Sequence, residues 1–136
     1  MATVKISISS YLALYENAVF LYKDIDEPIP EINDKSIDKI SYILEVPFQN
    51  VFGKVAYWGF YKKASVLFYL MIKNHPLENG NKRLACMSLA LFYTLNKREL
   101  KISDIQMYEL SIKVAESEAS NSDKMIDYVK SYLKSF

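Results

Sequence analysis

The run from Leu84 to Leu95 constrains the fold more than any other stretch, because as a helix starting at Asn81 it is apolar almost all the way round. Such a helix belongs at the centre of a bundle. It is too short, and too closely flanked by charge, to span a bilayer, so no membrane partner is expected. The remaining segments supply helices to wrap it. Ser9 or Ser10 can cap a first helix through about Lys23, with Tyr11, Leu14, Tyr15, Ala18, Val19 and Tyr22 on one stripe. Asp24 to Asp34, holding Pro28 and Pro30, reads as a loop. A second helix is expected from Asp34 or Ser36 to Glu45, with Ile37, Ile40, Ile43 and Leu44 inward and Pro47 ending it.

Between Phe48 and Trp58 the helical period is lost, and Val51-Phe52-Gly53-Lys54-Val55 predicts a small hairpin around the glycine. A third helix follows from Gly59 or Phe60 to Lys73, with Ala64, Leu67, Phe68 and Met71 as its apolar face. Pro76 breaks the chain before the central helix. Ser103 or Asp104 caps a fifth helix to about Glu118, and Ser122 or Asp123 starts a sixth through Leu133. The expectation is an all-α bundle of about six helices with a short β-hairpin flap, one domain over residues 1–136. A hydrophobic content of 51% is enough for a real core.

Charge is nearly balanced, 17 basic against 16 acidic residues, so no pull toward nucleic acid is visible and no nucleic-acid partner is expected. Lys124, Lys130 and Lys134 read as the exposed face of an amphipathic helix. The single cysteine, Cys86, cannot form an intrachain disulfide and fits a reducing compartment. Met1 to Lys5 lacks the basic start and apolar run of a signal peptide, so a cytoplasmic location is expected.

The chemistry concentrates in His75-Pro76-Leu77-Glu78-Asn79-Gly80-Asn81-Lys82-Arg83. A neutral imidazole can take a proton from an attacking hydroxyl, and two cations can stabilise charge developing on a phosphoryl group. Gly80-Asn81 lies at the start of the central helix, where backbone N–H groups and the helix dipole favour an anion. Each residue has a plainer reading. His75 could be a loop or cap residue, Lys82 and Arg83 solvated charges, Gly80 a turn residue needing positive φ, and Glu78 a solvent-facing charge. The aromatic set Tyr57, Trp58, Phe60 and Tyr61 could stack a base or could be core.

That ordered run resembles the signature loop of the Fic/Doc family, His-x-Phe-x-(Asp/Glu)-(Gly/Ala)-Asn-(Gly/Lys)-Arg. His75, Gly80, Asn81, Lys82 and Arg83 fit it, while Leu77 stands for the aromatic and Asn79 for the acid. Lys82 in place of glycine, and Cys86 where the adenylylating branch has a second arginine, are similar to the Doc toxins. Leu44 to Gly53 resembles the approach to the family's target-docking flap, and Lys63 to Asn74 the helix that delivers the histidine.

The resemblance implies a Doc-like toxin of a toxin–antitoxin system, moving the γ-phosphate of ATP to a hydroxyl of a cytosolic protein such as a translation elongation factor. In that scheme His75 is the general base. Arg83 is catalytic, and Gly80, Asn81, Lys82 and Arg83 hold the phosphates. Asn79, or Glu78 beside it, ligates magnesium, and the flap of Asn50, Val51, Phe52, Gly53, Lys54 and Val55 docks the target as an added strand. Adenylylation and a catalytically silent binding domain are the alternatives. The family's inhibitory-helix pattern has only a partial match, Ser41 to Glu45 followed by Val46, so a separate antitoxin is the expected inhibitor.

Overall fold

A computed structural model describes residues 2–21, 32–77 and 79–136. Six α-helices occur among them: α1 (Ile8–Leu21), α2 (Asp34–Glu45), α3 (Phe60–Lys73), α4 (Asn81–Leu95), α5 (Asp104–Glu116) and α6 (Ser122–Lys134). One antiparallel hairpin, β1 (Asn50–Val51) and β2 (Lys54–Val55), sits between α2 and α3 with Asn50 opposite Val55 and Val51 opposite Lys54. The fold is therefore an all-α bundle with a small hairpin. No helix among the described residues is long and apolar enough to cross a membrane.

Side-chain caps set several of the helix starts. Asn33 Oδ1 accepts the Ser36 N–H at 2.8 Å to open α2, and Ser103 with Gln106 forms a reciprocal capping box at α5. At α1 the cap is Ser7, whose Oγ accepts the Ser10 N–H at 3.1 Å, not Ser9 or Ser10. Pro47 does not stop the chain outright either: α2 runs on into a 3-10 turn, Val46–Phe48, where a proline needs no donor. A second 3-10 turn, Ala119–Asn121, leads into α6. Tyr11, Tyr15 and Ala18 of the α1 stripe are buried; the Asp24 to Asp34 loop lies mostly outside the described residues, as do Tyr22 and the side chain of Val19.

The centre of the bundle is α3 more than α4. α3 buries ten of its 14 residues, Phe60 and Lys63 through Tyr69 with Met71 and Ile72, and packs against α2, α4, α5 and α6. α4 buries seven of its 15. The polar members of α3 conceal this in sequence: Ser65 Oγ donates back to the Tyr61 carbonyl at 2.6 Å and Lys63 turns inward, so both are buried without an apolar side chain. α3 and α4 run antiparallel, since Phe60 at the start of α3 stacks on Phe92 near the end of α4, with centroids 5.1 Å apart, and meets Tyr93 edge-on at 4.9 Å. Of the aromatic set, Phe60 is core, Tyr57 and Tyr61 are half-buried, and Trp58 is 76% exposed.

The end of α4 is closed by paired backbone bonds. Arg98 N–H donates to the Tyr93 carbonyl at 2.9 Å and Lys97 N–H to the Thr94 carbonyl at 3.0 Å, the two bonds of a Schellman turn. Lys97 carries the left-handed conformation, φ +56°, that this turn usually assigns to glycine. Lys97→Gly is accordingly expected to stabilise the protein by about 0.5–1 kcal/mol, relief of side-chain strain being partly offset by glycine's greater unfolded-state entropy. Denaturant unfolding checks it, and a midpoint that stays put or falls would show that the turn imposes no strain.

Candidate functional site

Seven residues, Asn74 to Gly80, join α3 to α4, and they contain the sequence motif's histidine and glycine. The end of α3 is fastened first. Asn74 N–H continues the helix to the Leu70 carbonyl at 2.9 Å, while Lys73 Nζ donates to the Ala115 carbonyl at 3.3 Å and to the Ser117 carbonyl at the end of α5. A lysine there also complements the negative end of the α5 dipole.

Next comes the bend. His75 has φ +44°, a left-handed backbone that costs a residue with a Cβ about 1–3 kcal/mol, and its side chain is exposed. The following proline disfavours the right-handed helical region for His75 and ordinarily steers a residue to extended backbone, so the left-handed turn comes from the position of His75 just past the C-cap of α3 and not from the proline. Pro76 and Leu77 then turn inward. Leu77 joins Tyr15, Ala18 and Leu84 in a small apolar cluster, separate from the main core, with Ile32 and Met87 packed against it. Leucine thus anchors the loop where the resemblance places an aromatic ring.

Asn81, 7% exposed, clamps the loop to the first turn of α4. Its Oδ1 accepts the Leu77 N–H at 3.0 Å and its Nδ2 donates to the Leu77 carbonyl at 2.9 Å. Both backbone groups of a buried residue are thereby satisfied by one side chain. The carboxamide expected on the phosphates instead points into the loop, and what Asn81 offers outward is its place at the helix start. Gly80 is the capping residue, at φ +78°, and lacks a side chain to cover the α4 N-terminus.

Lys82 is exposed in the first turn of α4, and Arg83 is half-buried and already engaged within the protein. Asn79 is exposed and offers a neutral amide oxygen; Glu78 lies outside the described residues. Among the described residues no three His, Cys, Asp or Glu side chains gather into a metal site. Among the described residues the donor set thus offers one exposed neutral oxygen, that of Asn79, which would fit a magnesium ion whose other ligands are phosphate oxygens and water. Cys86 packs partly buried beside the main core, and burial first, then the Asp104 carboxylate, push its thiol up to about 12, so it has no thiolate to contribute.

The predicted flap is present as the hairpin. Its two-residue loop, Phe52-Gly53, has positive φ at both positions, +52° and +75°, the pattern of a type I′ turn. Phe52 is 99% exposed at the tip. Sequence reading found the motif and the flap but missed Lys63 and Lys73, whose inward aim a pattern of charges does not reveal.

Asn81→Ala should strand the buried N–H and carbonyl of Leu77 together, destabilising the protein by about 2–4 kcal/mol. Thermal or denaturant unfolding measures this. A loss under about 0.5 kcal/mol would show that the pair of bonds does not hold the loop.

Comparison with known proteins gives one result. No curated protein and no solved structure matches the chain. The sequence model of the Fic/DOC family, however, matches residues 6–93, from just ahead of α1 through most of α4, including the hairpin and the entire histidine-to-arginine loop. With well over half its length matched, the chain belongs to the Fic/DOC family.

Proposed function

We propose that this protein is a Doc-like phosphotransferase that moves the γ-phosphate of ATP to a hydroxyl on another protein. Members of the family usually transfer nucleotide-derived groups to proteins. The observation that carries the reading is the conformation of His75: the chain's only histidine is exposed on a left-handed backbone, in the loop that leads to the start of α4, where Gly80 brings no side-chain cap. Strain of that kind persists where surrounding structure imposes it, and it concentrates at working sites.

In the reaction, the target hydroxyl oxygen attacks the γ-phosphorus as the bond to the β,γ-bridging oxygen breaks and ADP leaves. His75 takes the hydroxyl proton. Lys82, Arg83 and the backbone around Gly80 meet the negative charge of the phosphates, aided by the dipole of α4. Asn79 would give a protein oxygen to a magnesium ion bound with the nucleotide, and the ion would supply neutralisation of phosphate charge. Asn81 keeps the loop in shape. The hairpin offers its edge to an extended target segment, with Phe52 and Val51 exposed for contact.

Lys82 favours phosphate transfer over transfer of AMP, because its side chain occupies room that a glycine would leave to the nucleotide. The target is a cytosolic protein, a translation elongation factor in the Doc manner, and a separate antitoxin supplies the inhibition. ATP labelled separately at the α- and γ-positions, incubated with cytosolic protein, tests the reading. Label transferred from the γ-position alone supports it. Label from the α-position identifies an adenylyltransferase, and no transfer from either identifies a silent binding domain.

Two outcomes follow for variants. His75→Gly should lower transfer by about 10²–10⁴-fold through loss of the base, while raising stability by about 1 kcal/mol through relief of the positive φ. A variant that is both stabilised and fully active would remove His75 from the mechanism. Asn79→Asp should lower the magnesium concentration needed for half-maximal transfer by adding a charged hard ligand. A magnesium titration unchanged from wild type would place the ion's protein ligand elsewhere.

A further inference from the structure

Lys63 is a buried cation that the reaction above does not use. It lies in the first turn of α3 and is 9% exposed, a place where lysine is seldom found without a partner. Its Nζ donates to the Tyr57 carbonyl and stands 5.6 Å from the centre of the Phe48 ring. Those two residues flank the hairpin's root. The root is closed by Ala56 N–H donating to the Gln49 carbonyl at 3.0 Å, and Gln49 N–H in turn donates to the Val46 carbonyl at 3.1 Å. Phe48 is the residue before this closure and Tyr57 the residue after it.

We infer that Lys63 is a positioning residue that fixes the pose of the hairpin relative to α3. Two strands of two residues cannot hold themselves in one orientation, and Val51, Phe52, Gly53 and Lys54 are all exposed, so the body of the hairpin packs little. Orientation must come from the root. Lys63 holds the incoming strand through a ring face and the outgoing strand through a carbonyl, from a helix that is itself buried on most sides.

The same helix ends two residues before His75. About 15 Å of rigid α3 separates Lys63 from Lys73, whose ammonium fastens the far end to α5. Hairpin and histidine are thus both referred to one inflexible element. Stability gives little reason for a lysine here: desolvation lowers its pKa, and an apolar side chain of similar length would fill the space without that cost, the gain offsetting the donor lost by the carbonyl of half-buried Tyr57. That the hairpin docks a target rests on the phosphotransferase reading, whereas the grip of Lys63 on its root does not.

The test is amide hydrogen exchange on the purified full chain, with no nucleotide or target present. In Lys63→Met, residues 50–56 should exchange at least tenfold faster than in wild type, exchange in α3 and α4 should be unchanged, and the melting temperature should hold or rise. Trp58, the only tryptophan, should report the loosened root as a change in fluorescence anisotropy. Lys63→Arg, which keeps a cation and a donor, should restore protection to residues 50–56. Hairpin exchange that stays at the wild-type rate in Lys63→Met would overturn the inference. So would protection lost equally from the hairpin, α3 and α4 with a lower melting temperature, the mark of an ordinary packing residue. Because exchange is read on the protein alone, failure of the labelled-ATP experiment would remove the reaction and leave this result standing.

Discussion

The antiparallel contact of α3 with α4 is the constraint on which the rest depends. Phe60 against Phe92 and Tyr93 fixes one end of the pair, so the other end must be closed by the seven residues Asn74 to Gly80. A link that short between buried helices has little conformational choice. It must reverse direction, sink an apolar residue under α1, and satisfy the backbone it buries. The left-handed turns at His75 and Gly80, the burial of Leu77 and the two bonds from Asn81 each answer one of those demands. The exposed histidine is what this packing leaves on the outside.

Among the described residues three with side chains take positive φ, Phe52, His75 and Lys97, and their surroundings differ. At Lys97 the conformation completes a hydrogen-bonded helix terminus, where a lysine is tolerated in glycine's place. At Phe52 it forms the first residue of a turn that ordinarily prefers Asn or Gly, with a large ring left in water. At His75 it precedes a proline at the head of the motif. His75 follows the C-cap of α3 as Lys97 follows that of α4, so helix termination accounts for the left-handed backbone at both; what differs at His75 is that Pro76 has no N–H to complete the paired bonds that close α4.

Much of the fold was legible in the sequence because its boundaries are set locally. Ser103 and the pre-proline positions act on their own backbone, and the expected bounds of α2 to α5 lie within about two residues of those observed, although the cap of α2 is Asn33, which the sequence reading did not single out. The hairpin was legible for the same reason, since Gly53 decides the turn. What sequence could not give was direction of aim. Lys63 and Asn81 have polar side chains at helix starts, where solvent exposure is the ordinary expectation, yet each turns inward to a carbonyl that only the folded loop presents. The prominence of α3 was hidden likewise, because Lys63 and Ser65 interrupt its apolar pattern while being as buried as their neighbours. The motif residues were found, and the division between those facing outward and Asn81 facing inward required the structure.

That division also bears on the charge at the start of α4. α2, α5 and α6 each carry an acid in the first turn, Asp34, Asp104 and Asp123, as the helix dipole favours. α4 carries none there and has Lys82 and Arg83 instead. Cations at that end oppose the dipole by about 0.3–1 kcal/mol each when exposed. Asn81 cannot relieve this, because its carboxamide is turned toward Leu77, and Gly80 has no side chain with which to try. The positive field of the helix end and the exposed Lys82 therefore add, and the proposed phosphate ligand is the kind of group that would turn this self-repulsion into binding energy.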